Sequence, residues 1–175
     1  MASVSGGAGL DEAMRRIGER MKSAQVRVGF LEDATYPDGT KVATVAALNN
    51  FGAPAAGIPP RPFFSNMVAD KSPAWGDRFA QVLEDAGYDP DVALERMGLG
   101  IAGQLRQSIV DTNDPANSPV TDLLKQRLPT GDGVTFADVQ QARADVAGGV
   151  TAAPGKPLVW SGHLLASVDS EVEDL

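Results

Sequence analysis

The residues best suited to chemistry lie near the end of the sequence, where the only histidine, His163, has serines on both sides. Ser161 or Ser167 could act as a nucleophile, His163 could act as its base, and Asp169 or Asp174 could orient the imidazole. The sequence contains no Gly-x-Ser-x-Gly nucleophile elbow. A capped turn with a surface imidazole is therefore the favoured interpretation. We predict no catalytic residue, and a small Ser/His hydrolase is kept as the competing class.

Two other patterns resemble ligand-binding motifs but lack features that such sites require. Gly98, Gly100 and Gly103 have the spacing of a dinucleotide fingerprint, but that fingerprint should follow a strand and open a helix, and here the run lies within a helical pattern. These glycines indicate close packing against another backbone, or a flexible helix. The acidic turns at 111–114 and at Asp132 lack the twelve-residue loop and closing Glu of a calcium site. We predict no cofactor and no metal.

The composition of the chain excludes several kinds of site and of binding partner. The chain has 175 residues, a net charge of −8 and no cysteine. Its length suits one domain, and the lack of cysteine excludes disulfides, thiolate zinc sites and a cysteine nucleophile. An acidic chain is poorly suited to general nucleic-acid binding, because that affinity comes mainly from Lys and Arg on phosphates. No apolar run approaches the roughly 20 residues of a membrane span, so we predict no membrane association.

The hydrophobic pattern predicts an α+β fold, in which a small, mainly antiparallel sheet packs against several helices. We expect a flexible N-terminal arm at 1–9 and a single domain at 10–175. Within it, residues 112–156 are predicted to form an irregular insertion with a long mobile loop. Strands are predicted at 25–31 and 168–172, and helices at 10–23, from 42 to about 50, 65–86 with a break near Ser72, 90–112, 120–128, 136–147 and 162–167.

The stretch from Val42 to Phe64 organises the rest of the chain. Its helix should end at Gly52, which can adopt the left-handed conformation. After a loop of small residues comes the run Ile58-Pro59-Pro60-Arg61-Pro62-Phe63-Phe64. Its prolines fix the backbone, so Arg61 is a fixed cation that could pair with a partner's carboxylate or with an early helix of the same chain. We expect Ser65 or Asn66 to cap the next helix.

Two blocks in this order resemble a known family. The first is Asn49-Asn50-Phe51-Gly52 followed by the Pro-Arg-Pro-Phe-Phe run. The second joins a Ser118-Pro119-Val120-Thr121 helix start and Lys125 to the segment Pro157-Leu158-Val159-Trp160-Ser161-Gly162-His163-Leu164-Leu165-Ala166-Ser167-Val168. Together they resemble the tailed-bacteriophage neck and tail-completion proteins, which include the minor tail protein Z-like and virion morphogenesis proteins. The resemblance spans 26–168. Trp160 stands where that family often has Asp, and 129–155 is longer than expected.

The resemblance implies a structural virion protein of the phage neck or tail. It would complete or cap the tail tube and join it to the head. It would act as a homo-oligomeric ring, and a hexamer is one stoichiometry that the resemblance implies. Its partners would be other neck and tail proteins (the tail tube and the stopper or connector), and it would be assembled in the bacterial host cytoplasm. DNA could pass through the ring without specific recognition. A head-completion or stopper protein between portal and tail is the alternative.

A ring of identical subunits requires two different complementary patches on each subunit. Our candidates are the proline-rich corner, with Arg61, Phe63 and Phe64, and the segment at 112–156. Trp160 is the fourth interface candidate, because it lies beside that segment and tryptophan is enriched at binding hot spots.

Overall fold

A computed structural model describes residues 24–174, together with Met14, Arg15 and Gly18. The predicted arm at 1–9 lies outside the described residues. So does the predicted helix at 10–23, except for those three residues, which are helical. Strands, helices and contacts are counted over the described part of the chain.

The fold is α+β, as the sequence predicts. The two strands are β1 (Ala24–Phe30) and β2 (Val168–Asp174), which pair antiparallel with Ala24 opposite Asp174 and Phe30 opposite Val168. The α-helices, in chain order, are α1 (Val42–Phe51), α2 (Phe63–Lys71), α3 (Trp75–Asp85), α4 (Pro90–Asp111), α5 (Pro119–Arg127), α6 (Phe136–Ala147) and α7 (His163–Ala166). Within the described residues no helix is both long enough and apolar enough to cross a membrane.

Local signals place most of the helix ends. A short 3-10 turn at Ser72–Ala74 separates α2 from α3 at the predicted break, because Pro73 cannot continue an α-helix. The side chain of Asp89 accepts a hydrogen bond from the Val92 amide and caps α4, with Pro90 in the first helical position. Ser118 caps α5 in the same way, through the Thr121 amide.

The cap of α2 differs from the prediction. Neither Ser65 nor Asn66 caps it, since the helix already begins at Phe63. Its first amides are instead bonded by Asn50, a buried residue of α1, whose Oδ1 accepts from the amides of Phe64 and Ser65 at 3.0 and 3.1 Å. The Asn50 amide nitrogen also donates to the Ser65 hydroxyl at 2.7 Å. One side chain thus fixes α2 against the end of α1.

The main core lies where α4 crosses the sheet and meets α1 and α2. Its fully buried members are mostly aliphatic and include Val42, Phe63, Leu105, Ile109 and Val168. Phe30 at the end of β1 packs edge-on against Phe63, with ring centroids 6.4 Å apart. The sheet is small, so α4 supplies most of the surface that covers it.

Of the three α4 glycines, Gly98 is the one that packs closely. A Cβ atom at Gly98 would lie 2.7 Å from Val26 Cγ2 and 2.9 Å from Ser170 Cβ, whereas one at Gly100 or Gly103 would meet nothing within 4 Å. Close packing is therefore found at Gly98 alone, and the atoms it meets belong to the side chains of Val26 and Ser170. It allows α4 to approach both strands at their centre.

We predict opposite effects for alanine at these glycines. Gly98→Ala should lower the free energy of unfolding by about 1–3 kcal/mol, because the added methyl forces α4 away from the sheet. Gly100→Ala should raise it by up to about 1 kcal/mol, because alanine favours the helix and has free space there. Urea unfolding of both variants checks this. A loss of stability in Gly100→Ala as large as that in Gly98→Ala would contradict the packing.

The segment at 112–156 contains the two helices that the sequence predicts within it. It holds α5 and α6, which pack against each other around a small second cluster formed by Leu123, Leu124 and Ala142. A capping box starts α6, in which Thr135 and Asp138 exchange hydrogen bonds. The helices predicted at 120–128 and 136–147 are confirmed, and they form a helical hairpin with loops on either side. The mobility of its loops stays a prediction.

Candidate functional site

The motif residues of the two sequence blocks converge inside the subunit. Arg61 is 7 % exposed, and its guanidinium donates to the main-chain carbonyls of Pro115 and Ala116 at 2.7 and 3.2 Å. Burial lowers the pKa of Arg61 below its ordinary value. Among the described residues the contacts of Arg61 are therefore to main-chain carbonyls, and its predicted pairing with a partner's carboxylate or with an early helix stays a prediction. The side chain connects the proline-rich corner to the segment that leads into α5.

Lys125 continues this connection toward the second block. Its ammonium donates to the carbonyls of Lys156, Pro157 and Val159, so α5 holds the turn that precedes Trp160. Burial lowers the pKa of Lys125, while the nearby Asp122 opposes that shift. The lysine of the family pattern thus has a structural role that its spacing from Pro157 does not reveal.

Trp160 is held within the chain on the hairpin side. Its indole nitrogen donates to the Leu128 carbonyl at 2.7 Å, and its ring packs on the second hydrophobic cluster. Lys125 Nζ lies 5.8 Å from the ring centroid, and a Cβ at Gly131 would be 3.4 Å from the ring. The partly buried ring connects α5 to the last block of the chain, so Trp160 is weakened as an interface candidate.

The two phenylalanines of the corner have different positions. Phe63 is 1 % exposed and belongs to the main core, so it is not available to a partner and its nomination as an interface residue is corrected. Phe64 is partly buried and remains at the surface. It lines a shallow apolar groove of about 240 Å³ together with Phe30, Ala43, Ala47 and Phe51.

His163 makes structural contacts. Its Nε2 lies 2.9 Å from the Thr35 carbonyl, and its ring stacks on Tyr36 with centroids 4.6 Å apart. Because a carbonyl can only accept, Nε2 must carry the proton in this contact. The Ser161 hydroxyl accepts from the His163 amide, and Ser167 Oγ donates to the His163 carbonyl. In residues 24–174 neither serine hydroxyl bonds to the imidazole, so the described structure does not assemble the catalytic pair.

A cleft of about 460 Å³ lies beside this histidine. It is formed where the turn after β1, the loop between α5 and α6, and the start of α7 meet, and its lining includes Tyr36, Asp38, Asp132, Trp160 and His163. The phenol of Tyr36 has a raised pKa, because burial and then the charge of Asp38 disfavour its ionised form. The cleft brings together two residues that sequence reasoning singled out separately, Trp160 and His163.

We predict that His163→Ala lowers the free energy of unfolding by about 1–2 kcal/mol, since it removes one hydrogen bond and one ring contact. Ser161→Ala is the matched control, because it removes only the hydroxyl that accepts from the His163 amide. Urea unfolding should show the smaller effect for Ser161→Ala. Equal stability of the wild-type chain and His163→Ala would contradict the anchoring role.

An uncharged and partly exposed apolar surface is formed by α1 and the loop that follows it. Residues 42–60 contain no Asp, Glu, Lys or Arg, although the whole chain carries a net charge of −8. Phe51 is 73 % exposed and Leu48 is 41 % exposed on this stretch, beside exposed Ala43 and Ala47. We call the surface formed by Ala43, Ala47, Leu48, Phe51 and Phe64 the α1 patch. Exposed apolar surface of this kind marks interaction sites.

Sequence reasoning missed Phe51 as an interface residue. The pattern Asn49-Asn50-Phe51-Gly52 indicates a helix end, and the nearby arginine and the next two aromatics are the more obvious candidates for binding. The available signal was the absence of charge over a run that must lie partly at the surface. The positive φ of Gly52, with a Cβ that would meet Pro60 nitrogen at 2.8 Å, fixes the turn that comes after Phe51.

Neither family models, nor curated proteins, nor solved structures gave any match to this chain. No group of three or more metal-binding side chains is close enough to hold an ion among the residues that the structure describes. A function for this chain must therefore be argued from the geometry of its own residues.

Proposed function

We propose that this protein is a structural component of the phage neck or tail, where it completes or caps the tail tube and joins it to the head as a ring-forming oligomer. The observation that carries the proposal is the α1 patch, an uncharged apolar surface with Phe51 at 73 % exposure on an otherwise acidic chain. Such a surface suits a protein whose work is to bind other proteins.

The arrangement of the two motif blocks gives further support. The residues through which the sequence resembles neck and tail-completion proteins form one connected set of contacts, from Arg61 through Lys125 to Trp160. This set holds the α5–α6 hairpin on the body of the subunit and leaves the α1 patch outside. A subunit with these internal contacts and a separate apolar surface suits a ring on a tail end.

The proposal is tested by measuring mass and shape. Light scattering at several concentrations and negative-stain imaging would be done on the protein alone and after mixing with purified tails. We expect rings or discs, either in solution or at the tail end. A protein that stays monomeric and does not bind tails would contradict the proposal. Binding at the portal in place of the tail would favour the alternative, a head-completion or stopper protein.

A further inference from the structure

Among residues 24–174 the two-stranded sheet leaves one open edge on each strand. Within the described residues β1 pairs with β2 and with no other strand, and the same holds for β2. An open strand edge presents unpaired amides and carbonyls that can accept a further strand. Each subunit therefore carries two different edges, one from β1 and one from β2.

Contacts of β2 indicate which main-chain groups face outward. The Val168 carbonyl accepts from Arg106 of α4, and the Ser170 amide donates to Asp169 Oδ1. These groups are therefore directed away from β1, and both already have a partner within the subunit. Because outward and inward groups alternate along an antiparallel strand, Val172 faces the same open edge. Opposite them, Val26 and Val28 direct their main-chain groups to the open edge of β1.

The charges on the outer face of the sheet distinguish the two strands. On β2, Asp169, Glu171 and Glu173 alternate on one face, and Arg27 is the only cation of β1. Arg27 Nη1 lies 2.6 Å from Glu173 and 3.4 Å from Glu171. Two β2 edges placed together would oppose carboxylates, which is unfavourable. A second β1 beside β2 would supply another arginine to this acidic face.

We infer that subunits join edge to edge, with β2 of one subunit pairing antiparallel with β1 of a second copy. The occupant of each edge is thus another copy of this chain, selected by charge complementarity. The contact is heterologous, because it uses two different surfaces, and such contacts close into rings when the rotation between subunits permits. This inference rests on the proposed ring-forming function and names how the ring is built.

Cysteine cross-linking tests the pairing, since the chain has no cysteine of its own. Gln25→Cys on β1 and Asp169→Cys on β2 would be made in separate chains with tags of different mass, and a short bifunctional maleimide would be added. We expect cross-linked pairs that contain one chain of each kind. Cross-links that form equally well within either variant alone would overturn the inference, and so would oligomers that give no cross-link.

A second pair of variants tests the edge without cysteine. Val172→Pro removes an outward amide while Glu171 and Glu173 keep their ladder positions, so proline at this edge position should be tolerated. We expect self-association at least tenfold weaker than in Val172→Ala, with the circular dichroism spectrum unchanged. Unchanged association in Val172→Pro would overturn the inference. A lower stability at unchanged mass would do the same, because the edge would then be covered by residues of the same chain.

Charge-reversal variants distinguish an effect on the pairing of subunits from an effect on folding. Arg27→Glu, and Glu171→Lys combined with Glu173→Lys, should each self-associate at least tenfold more weakly than the wild-type chain, and an equimolar mixture should recover association. Failure of the mixture to recover would count against β1–β2 pairing. If the wild-type chain forms rings and all these variants do too, the edge inference fails while the proposed function stands. If the wild-type chain neither assembles nor binds tails, the proposed function itself fails.

Discussion

Replacement of Phe51 with serine should weaken self-association or tail binding by at least about thirtyfold, which corresponds to the roughly 2 kcal/mol of a binding hot spot. Phe51 is 73 % exposed and lies in the middle of an uncharged surface, so it has few intramolecular contacts to lose. The free energy of unfolding should change by no more than about 0.5 kcal/mol. Light scattering and tail-binding titrations measure the first quantity, and urea unfolding measures the second.

Phe136→Ser is the matched control for this prediction. Phe136 is 75 % exposed at the start of α6, so it is an equally exposed phenylalanine outside the α1 patch. We expect it to bind tails and self-associate like the wild-type chain. An equal loss in both variants would mean that general surface hydrophobicity drives association. A large loss of stability in Phe51→Ser would mean that Phe51 supports the fold.

The second large effect is expected at Arg61. Arg61→Ala should lower the free energy of unfolding by about 3 kcal/mol, because it removes the hydrogen bonds that a buried guanidinium donates to the carbonyls of Pro115 and Ala116. Arg61→Lys should recover only part of the loss, since an ammonium cannot reproduce the planar fork of the guanidinium. Urea unfolding gives the size of the effect. Hydrogen exchange should increase first at the start of α5, which these contacts position.

Arg78→Ala provides the control for charge removal. Arg78 is an exposed residue of α3 whose side chain contacts Gln81 of the same helix, so its loss should change stability by no more than about 0.5 kcal/mol. The two variants carry the same net charge. If Arg61→Ala kept wild-type stability but lost self-association, the arginine would belong to a subunit contact, and the assignment of its role inside the chain would be wrong.

Local signals in the sequence predict most of the elements correctly. Alternating Val26, Val28 and Phe30 identify β1, Pro73 identifies the break between α2 and α3, and Asp89 with Pro90 identifies the start of α4. Each of these signals acts within a few residues of its effect. The positions of these elements therefore follow from local sequence, and they can be predicted without knowledge of the tertiary structure.

The contacts that hold the site together could not be predicted in this way. Asn50 caps a helix that begins thirteen residues later, and Arg61 bonds carbonyls more than fifty residues away. Main-chain carbonyls are present at every residue, so nothing in the sequence marks the ones that a buried cation will meet. For the same reason the sequence suggests a binding role for the arginine, although two of its nitrogens donate to carbonyls inside the subunit.

The position of the two strands in the chain has a consequence for synthesis. Phe30 pairs with Val168, so the sheet cannot form until the ribosome has made every helix between them. Until then the side of α4 around Gly98 is not covered by the sheet. Pairing of two strands that are so far apart in the chain makes folding slow. A nascent or prematurely terminated chain that lacks β2 would have neither a finished sheet nor an acidic edge. Under the proposed edge-to-edge arrangement, such fragments would be excluded from the assembled particle without a separate quality-control factor.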